Sequence, residues 1–173
     1  MKHLWAPWRM TYLECKDKQA KDCCVFCVRD IVGEDAERLI LWRGRHAFVV
    51  MNKFPYTNGH LLIAPYRHIP DILDLEPEES AEMLLLLRRC RMVMQQCLKP
   101  QGFNIGMNLG KIAGAGVADH LHMHIVPRWT GDTNFMPVFA EVRVIPQHLE
   151  ETYAILLEGF KSVPDEVGCR CPD

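Results

Sequence analysis

The sequence predicts an α+β fold in which short strands and one long helix alternate along the chain. Three observations support this. Runs rich in β-branched and aromatic residues are bounded by Gly, Pro and Asn, which is typical of strands. One long segment has apolar residues recurring at steps of four and three, which predicts a helix. Histidines alternate with apolar residues over residues 120–125, the two-residue repeat of a strand with one face in the core.

The strands follow from hydrophobic runs and the turn signals between them. Residues 39–53 predict two strands that meet near Gly44. After a turn that contains Pro and Asn-Gly, residues 60–65 predict a third strand, so these elements suggest an antiparallel meander. Residues 102–109 predict a fourth strand, and the alternating histidines predict that His120, His122 and His124 lie on one strand face.

Two helices are predicted. The clearer one spans Pro77–Leu98, because Pro77 suits a first helical turn, acidic residues follow it, and Pro100 ends the pattern. Core packing explains its apolar stripe, which consists of Met83, Leu87, Cys90, Met94 and Cys97. A terminal helix is predicted over residues 146–161.

Length and charge limit the function classes. The chain has 173 residues, with 20 basic and 22 acidic side chains and a formal charge of −2, so it has no global positive field to attract nucleic acid. It shows no secretion signal and no apolar run of membrane-spanning length. We therefore expect a soluble, cytoplasmic protein with no nucleic-acid or membrane partner. The predicted domains are an N-terminal arm (1–22), a main domain (23–135) and a C-terminal extension with a helix (136–173).

The spacing Cys24-x-x-Cys27 provides half of a tetrahedral metal site. On the residues alone, a redox dithiol and an inert apolar pair remain alternatives. The chain has eight cysteines and nothing that directs export, so reduced thiols are expected rather than a disulfide scaffold.

The alternating histidines have a chemical interpretation. A neutral imidazole is a good nucleophile near pH 7, and its attack on phosphorus gives a phosphoramidate that a second acceptor displaces. The glycine-rich run before the triplet, residues 110–118, lets backbone N–H groups approach phosphate oxygens closely. It matches neither a P-loop nor a dinucleotide-binding fingerprint.

Two segments carry a family resemblance. The run His-Leu-His-Met-His-Ile-Val at 120–126 resembles the motif of the histidine triad (HIT) family, and residues 58–68 resemble that family's second signature. Residues 4–9 and 114–120 are similar to the bacterial branch related to diadenosine tetraphosphate phosphorylases and hydrolases. The resemblance implies a five-stranded antiparallel sheet with helices packed on it, a homodimer, and an enzyme that acts on nucleotide phosphoesters or anhydrides.

The resemblance also implies roles for individual residues. His122, the middle histidine, matches the family nucleophile. His124 and His60 match the residues that orient the nucleophile and meet the α-phosphate. Asn52 falls where the family holds the ribose hydroxyls, and Asn108 falls where a side chain approaches the phosphate.

One position departs from the family pattern. Many members carry Gln followed by Ser or Thr before the triplet, where this chain has Gly116-Val117. Phosphate contacts at this point must therefore come from the backbone or from other side chains, and Gly114 and Gly116 are the expected backbone contacts.

Zinc-bearing bacterial members and galactose-1-phosphate uridylyltransferase, which the chain also resembles, supply the rest of the metal site. In them a Cys-x-x-Cys pair is joined by a His after the second signature and by the first His of the triplet. The matching set here is Cys24, Cys27, His68 and His120, which implies a structural zinc ion.

The main functional prediction is a nucleotidyl transferase or hydrolase that cleaves dinucleoside polyphosphates through a nucleotidyl-His122 intermediate. Two alternatives stay open. The same nucleophile could hydrolyse nucleoside phosphoramidates, or the protein could be a zinc-stabilised nucleotide-binding module with little turnover.

Overall fold

The computed structural model describes residues 24–132 and 149–164. These residues contain five strands and three α-helices: α1 (Asp35–Arg38), β1 (Ile40–Arg43), β2 (Ala47–Met51), β3 (Leu61–Pro65), α2 (Pro77–Leu98), β4 (Gly102–Met107), β5 (Met123–Arg128) and α3 (Leu149–Ser162). Two short 3₁₀ turns cover Ile72–Asp74 and Lys111–Ala113. The predicted α+β class with a five-stranded antiparallel sheet is confirmed.

The strands form a single antiparallel sheet in the order β1-β2-β3-β5-β4. The first three form the predicted meander. Strand β5 then lies between β3 and β4, with Met123 opposite both Ile63 of β3 and Met107 of β4. A central strand is hydrogen-bonded on both sides, so the residues at the start of β5 are held more firmly than those of an edge strand.

The strand that carries the histidine triplet is shorter than predicted. It begins at Met123, so only His124 lies within it. Before that point the chain leaves the sheet, and the Leu121 N–H donates to the Ile69 carbonyl at 2.6 Å. The prediction that all three histidines share one strand face is therefore wrong for His120 and His122. The backbone between them bonds to Ile69, in the segment that follows β3, and not to a neighbouring strand.

Helix α2 begins and ends at the predicted residues. Its start is fixed by a capping box between Glu76 and Glu79, and Glu79 also forms a 2.7 Å salt bridge with Arg67. The face that packs on the sheet is fully buried and comprises Met83, Leu86, Cys90, Val93 and Met94. The long helix thus anchors the segment that follows β3.

Helix α3 packs on α2 and on the edge strand β1. Its buried side chains include Tyr153, Leu156 and Phe160. Arg89 of α2 donates to the carbonyls of Phe160 and Val163 at 2.8 and 2.9 Å, which satisfies the end of α3. The terminal helix predicted over 146–161 is therefore present, at Leu149–Ser162.

The predicted arm at 1–22 lies outside the described ranges, as does the predicted C-terminal extension apart from residues 149–164. Among the described helices, none has the length and apolar character needed to cross a bilayer.

Candidate active site and metal centre

Seven predicted side chains form two neighbouring clusters around the start of β5. We call the first the metal cluster, comprising Cys24, Cys27, His68 and His120. We call the second the imidazole relay, comprising His60, His122 and His124. The two clusters are joined by the short chain between His120 and His122.

The metal cluster brings together residues that are far apart in the sequence. The Cys24 Sγ atom lies 3.3 Å from His120 Nδ1, and the Cys27 Sγ atom lies 3.4 Å from His68 Nδ1. The two histidine Nδ1 atoms are 3.3 Å apart, and all four potential ligand atoms lie within 4.8 Å of one another. Four soft or borderline donors therefore converge on one point.

These distances fit a zinc ion. Bonds of about 2.3 Å to sulfur and about 2.0 Å to nitrogen put neighbouring ligand atoms of a tetrahedral site roughly 3.3–3.8 Å apart. In addition, His120 Nε2 lies 2.9 Å from the Pro65 carbonyl, so the ring donates there and keeps the lone pair of Nδ1 for the cluster. Metal-binding imidazoles commonly have such a backbone partner on the other nitrogen.

Burial favours uncharged forms in this cluster. It raises the pKa of the Cys24 thiol to about 12, and the nearby Cys27 thiol adds to the effect. Burial also lowers the pKa of His120 to about 4, which keeps its imidazole neutral. A divalent cation reverses the preference of the thiol, since a thiol bound to a metal is deprotonated, whereas the neutral imidazole already suits a metal.

The imidazole relay starts at His60, which is fully buried. Its Nδ1 accepts the backbone N–H of Tyr56 at 3.1 Å, and the Asn52 amide nitrogen lies 3.2 Å from the same atom. Because two donors face Nδ1, the proton of the neutral ring is on Nε2. That nitrogen lies 2.9 Å from Nδ1 of His124 and donates to it.

The tautomer of His124 follows from that of His60. Since its Nδ1 accepts from His60, its own proton lies on Nε2. Burial, reinforced by the neighbouring His122, lowers the pKa of His124 to about 4 and keeps the ring neutral. The Nε2 atom is buried and has no hydrogen-bond partner among the described residues. The relay thus presents one unused N–H donor.

His122 has the opposite tautomer. Its Nδ1 lies 2.9 Å from the His120 carbonyl and donates to it, so the unprotonated nitrogen is Nε2. Burial lowers the pKa of His122, although the bond to the carbonyl opposes this. The His122 and His124 rings meet edge to face at 4.9 Å between centroids. A neutral nitrogen lone pair and an N–H donor therefore lie on adjacent rings.

The structure places Asn52 beside His60. Its Nδ2 faces His60 Nδ1, and its Oδ1 accepts the backbone N–H of Phe54 at 2.9 Å. Both ends of the amide thus contact the protein, and the predicted contact with a ribose stays a prediction.

The remaining predicted residues lie in the loop after β4. Asn108 directly follows Met107, the last residue of β4, which is paired with Met123 at the start of β5. Gly114 has a φ of +89°, and a Cβ there would lie 3.9 Å from the Asn108 amide nitrogen. Such a turn favours glycine. A Cβ at Gly116 would meet nothing within 4 Å, which leaves open space at the position where the family pattern carries a larger residue.

Two aromatic residues at the site were not singled out from the sequence. The buried Phe26, between the paired cysteines, packs on the His122 ring at 4.8 Å and on the His120 ring at 5.4 Å. Tyr56 packs on the His60 ring at 4.7 Å. Position offers a partial signal for Phe26, since it stands within the Cys-x-x-Cys turn. Nothing in the sequence distinguishes Tyr56 from a surface turn residue.

Fold and site together define a class: an α+β protein in which a buried imidazole relay lies next to a Cys₂His₂ cluster at the start of a central strand. The family of HIT domains matches residues 34–131. The chain therefore belongs to the histidine triad family, as the motif predicts.

Individual relatives cover most of the chain. An AP-4-A phosphorylase of Mycobacterium tuberculosis is 38% identical over 169 residues, which are 95% of this chain and 87% of the relative. A zinc-bound histidine triad family protein of Mycobacterium smegmatis has a crystal structure with a TM-score of 0.65 at 31% identity, and the match covers 82% of this chain and 95% of that one. A diadenosine triphosphate hydrolase of Plasmodium falciparum, at 22% identity and a TM-score of 0.57, shares the fold over 72% of this chain and 76% of its own.

Proposed function

We propose that this protein cleaves dinucleoside polyphosphates by transferring a nucleotidyl group to His122 and then to an acceptor. The observation that carries the proposal is the pair of fixed tautomers: a free lone pair on His122 Nε2 and an unused N–H on His124 Nε2. A nucleophile and a donor on adjacent rings are the parts that transfer of a phosphoryl-type group needs.

In the first step, His122 Nε2 attacks the α-phosphorus of the substrate and forms a P–N bond. The bond from phosphorus to the bridging oxygen breaks, and its electrons leave with the second nucleotide. The His124 N–H donates a hydrogen bond to a phosphate oxygen on which charge develops. As the ring of His122 becomes cationic, the His120 carbonyl stabilises it through the Nδ1–H.

In the second step, an oxygen of water or of inorganic phosphate attacks the same phosphorus. The P–N bond breaks, its electrons return to His122 Nε2, and the proton of the acceptor passes to solvent. Two transfers at one phosphorus replace a single difficult displacement. The starting tautomer is restored because Nδ1 keeps its proton on the carbonyl side throughout.

Two comparisons support the substrate class. Membership of the HIT family and the similarity to the AP-4-A phosphorylase bear out the prediction of an enzyme acting on phosphoanhydride bonds. The match covers 95% of this chain, which includes both of its histidine signatures, and 87% of that relative. Diadenosine tetraphosphate is therefore the first substrate to test.

The test is incubation of the purified protein with diadenosine tetraphosphate, with and without inorganic phosphate. If water is an acceptor, we expect ATP and AMP as products in both conditions. If inorganic phosphate is the acceptor, ADP forms only when phosphate is present, which identifies a phosphorylase. A ³²P-labelled adenylate that stays on wild-type protein after denaturation, and is absent from His122→Ala, would demonstrate the covalent step. An inert protein in both conditions contradicts the proposal, and cleavage of adenosine phosphoramidate instead would favour the phosphoramidase alternative.

We further propose that Cys24, Cys27, His68 and His120 hold a structural zinc ion. The support is the convergence of four donor atoms, the orientation of His120 by the Pro65 carbonyl, and the similarity to a zinc-bound family member. When bound, zinc would tie the turn before α1 to the ends of β3 and β5 without taking part in transfer. Stoichiometric zinc in the reduced protein supports this, whereas metal-free protein with a reversible Cys24–Cys27 disulfide would favour a redox pair.

The predicted homodimer has one supporting observation. Strand β4 is at the edge of the sheet, its central residues are exposed, and Ile105 retains 51% of its surface. An exposed apolar residue on an edge strand is suited to pairing with a second copy. Light scattering on the wild type and on Ile105→Lys tests this, with a dimer that dissociates in the variant as the expected result.

A further inference from the structure

The turn that leads into His60 is held from several sides. The Thr57 hydroxyl donates to the Pro127 carbonyl of β5 at 2.9 Å, and the His60 N–H donates to the Thr57 carbonyl at 3.3 Å. Gly59 has a φ of +76°, and a Cβ there would lie 2.5 Å from a methyl carbon of Leu98 in α2. The turn thus has little freedom relative to β5 and the end of α2.

A further contact comes from the C-terminal helix. The hydroxyl of Thr152 donates to the side-chain oxygen of Asn58 at 2.8 Å, and Thr152 is fully buried. A buried hydroxyl that lost this acceptor would carry a desolvation penalty, so the bond is strongly favoured once α3 is packed. Helix α3 lies beyond residues 34–131, the segment that the HIT domain matches.

The docking of α3 does not depend on Thr152 alone. The Tyr153 hydroxyl donates to the Ile40 carbonyl of the edge strand β1 at 3.0 Å. Gly159 lets the helix approach α2 closely, since a Cβ there would lie 2.5 Å from Cys97 Sγ. Other contacts therefore fix the position of α3, and Thr152 links this helix to the turn that leads into His60.

We propose that Thr152 is a positioning residue for the relay: by holding Asn58, it sets the place of His60 and through it the tautomer and position of His124. His60 is two residues from Asn58, and its Nε2 must stay within hydrogen-bond distance of His124 Nδ1, now 2.9 Å. A misplacement of 1 Å at such a group costs roughly 100-fold in rate. This inference rests on the proposed function, in which His124 contacts the reacting phosphate.

The experiment compares three variants of the full chain. Thr152→Val removes the hydroxyl at nearly constant volume, Thr152→Ser keeps it, and Tyr153→Phe is the matched control because it removes the neighbouring hydroxyl of the same helix. We expect Thr152→Val to lower kcat for diadenosine tetraphosphate about tenfold, below the ~100-fold limit above, with KM little changed. Thr152→Ser should recover most of the rate, and Tyr153→Phe should lower the melting temperature without this loss of kcat.

An imidazole readout keeps the test independent of activity. In ¹⁵N spectra of histidine-labelled protein, the Nε2–H of His60 and the Nδ1 of His124 should shift in Thr152→Val and stay at wild-type values in Tyr153→Phe. If the wild type proves inactive, the proposed function fails and these spectra alone decide the positioning role.

Thr152→Val that matches Tyr153→Phe in both kcat and imidazole shifts would overturn the proposal, since Thr152 would then serve docking only. If Thr152→Val does not fold, Asn58→Ala removes the acceptor from the other side and is judged by the same spectra. Where both variants fold, their effects on kcat should be non-additive, because each removes the same bond.

Discussion

The two clusters use the same side chain in opposite ways. His120 and His122 are two residues apart, and each has one ring nitrogen tied to a backbone carbonyl. His120 donates through Nε2 to Pro65 and turns Nδ1 to the cysteines, whereas His122 donates through Nδ1 to His120 and leaves Nε2 free. The nitrogen that the backbone occupies decides which one is left for chemistry. In the proposed function, this difference suits His120 to bind a metal and His122 to act as the nucleophile.

The two clusters also contribute differently to the protein. The metal cluster brings together residues up to 96 positions apart in sequence, Cys24 and His120, so a metal bound there would hold distant segments of the chain together. The relay consists of neutral rings in a line, and it fixes proton positions rather than chain segments. We therefore expect substitutions in the relay to affect rate and substitutions in the metal cluster to affect stability.

The sharpest separation comes from replacing the nucleophile. His122→Ala should lower kcat/KM by at least about 10³-fold, because loss of a covalent nucleophile removes the whole two-step route. Zinc content and melting temperature should stay close to those of the wild type. Steady-state kinetics, metal analysis and calorimetry on one preparation check this. Residual activity within tenfold of the wild type would mean that His122 is not the nucleophile.

Removing a metal ligand should give the reverse pattern. Cys27→Ser should lose zinc and about 4 kcal/mol of unfolding free energy, the contribution of a ligand present at 1,000 times its Kd. Cys97→Ser is the control, since Cys97 is also a partly buried thiol and its Sγ contacts the Ile155 carbonyl instead. Urea unfolding with and without a chelator measures the difference. Equal stability of the two variants would exclude a stabilising metal.

A smaller effect is expected at the start of the relay. His60→Gln removes the ring that donates to His124, so the proton of His124 is free to shift from Nε2 to Nδ1 and the donor is lost in part of the molecules. We expect kcat to fall roughly 10²-fold, within the range for a proton-placing group, while the metal content is unchanged. Rapid-quench measurement of adenylyl-enzyme formation locates the loss in the first step. A loss confined to KM would instead indicate a binding role.

Much of this fold could be predicted because its signals are local. Helix α2 starts and ends at the predicted residues, since Pro77 and Pro100 restrict the backbone at those points whatever packs against them. The family could be predicted as well, because the spacing of the histidines is itself the motif. Gly44 marks the junction of the first two strands, where a Cβ would lie 2.8 Å from the Glu82 carboxylate.

Other features depend on partners that are distant in sequence. The start of β5 was predicted too early because alternation cannot show that Leu121 bonds to Ile69 rather than to a strand. The opposite tautomers of His120 and His122 depend on which carbonyl lies near each ring, and a sequence does not give that. Thr152 carries no motif, so its contact with Asn58 emerges only when α3 is in place.

The smallest predicted effect is a pH dependence that belongs to the relay alone. His124 faces His122, His60 and Tyr56, and burial followed by the influence of His122 lowers its pKa from 6.5 to about 4. Between these two pH values, His124 is protonated in the unfolded chain and neutral in the folded chain. Stability is therefore present above about pH 6.5 and is lost as the pH falls towards 4.

His124→Gln removes this titration, so the slope of unfolding free energy against pH should become shallower by at most about 1.4 kcal/mol per pH unit, and by less where solvent screens the ring. Urea unfolding of the zinc-loaded protein from pH 7.5 to 4.5 measures the slope, with His46→Gln, which alters a histidine outside both clusters, as the control. An unchanged slope in His124→Gln would show that the relay does not hold this ring neutral, and the contrast between a charge-neutral relay and a metal-binding cluster would then fail at its central point.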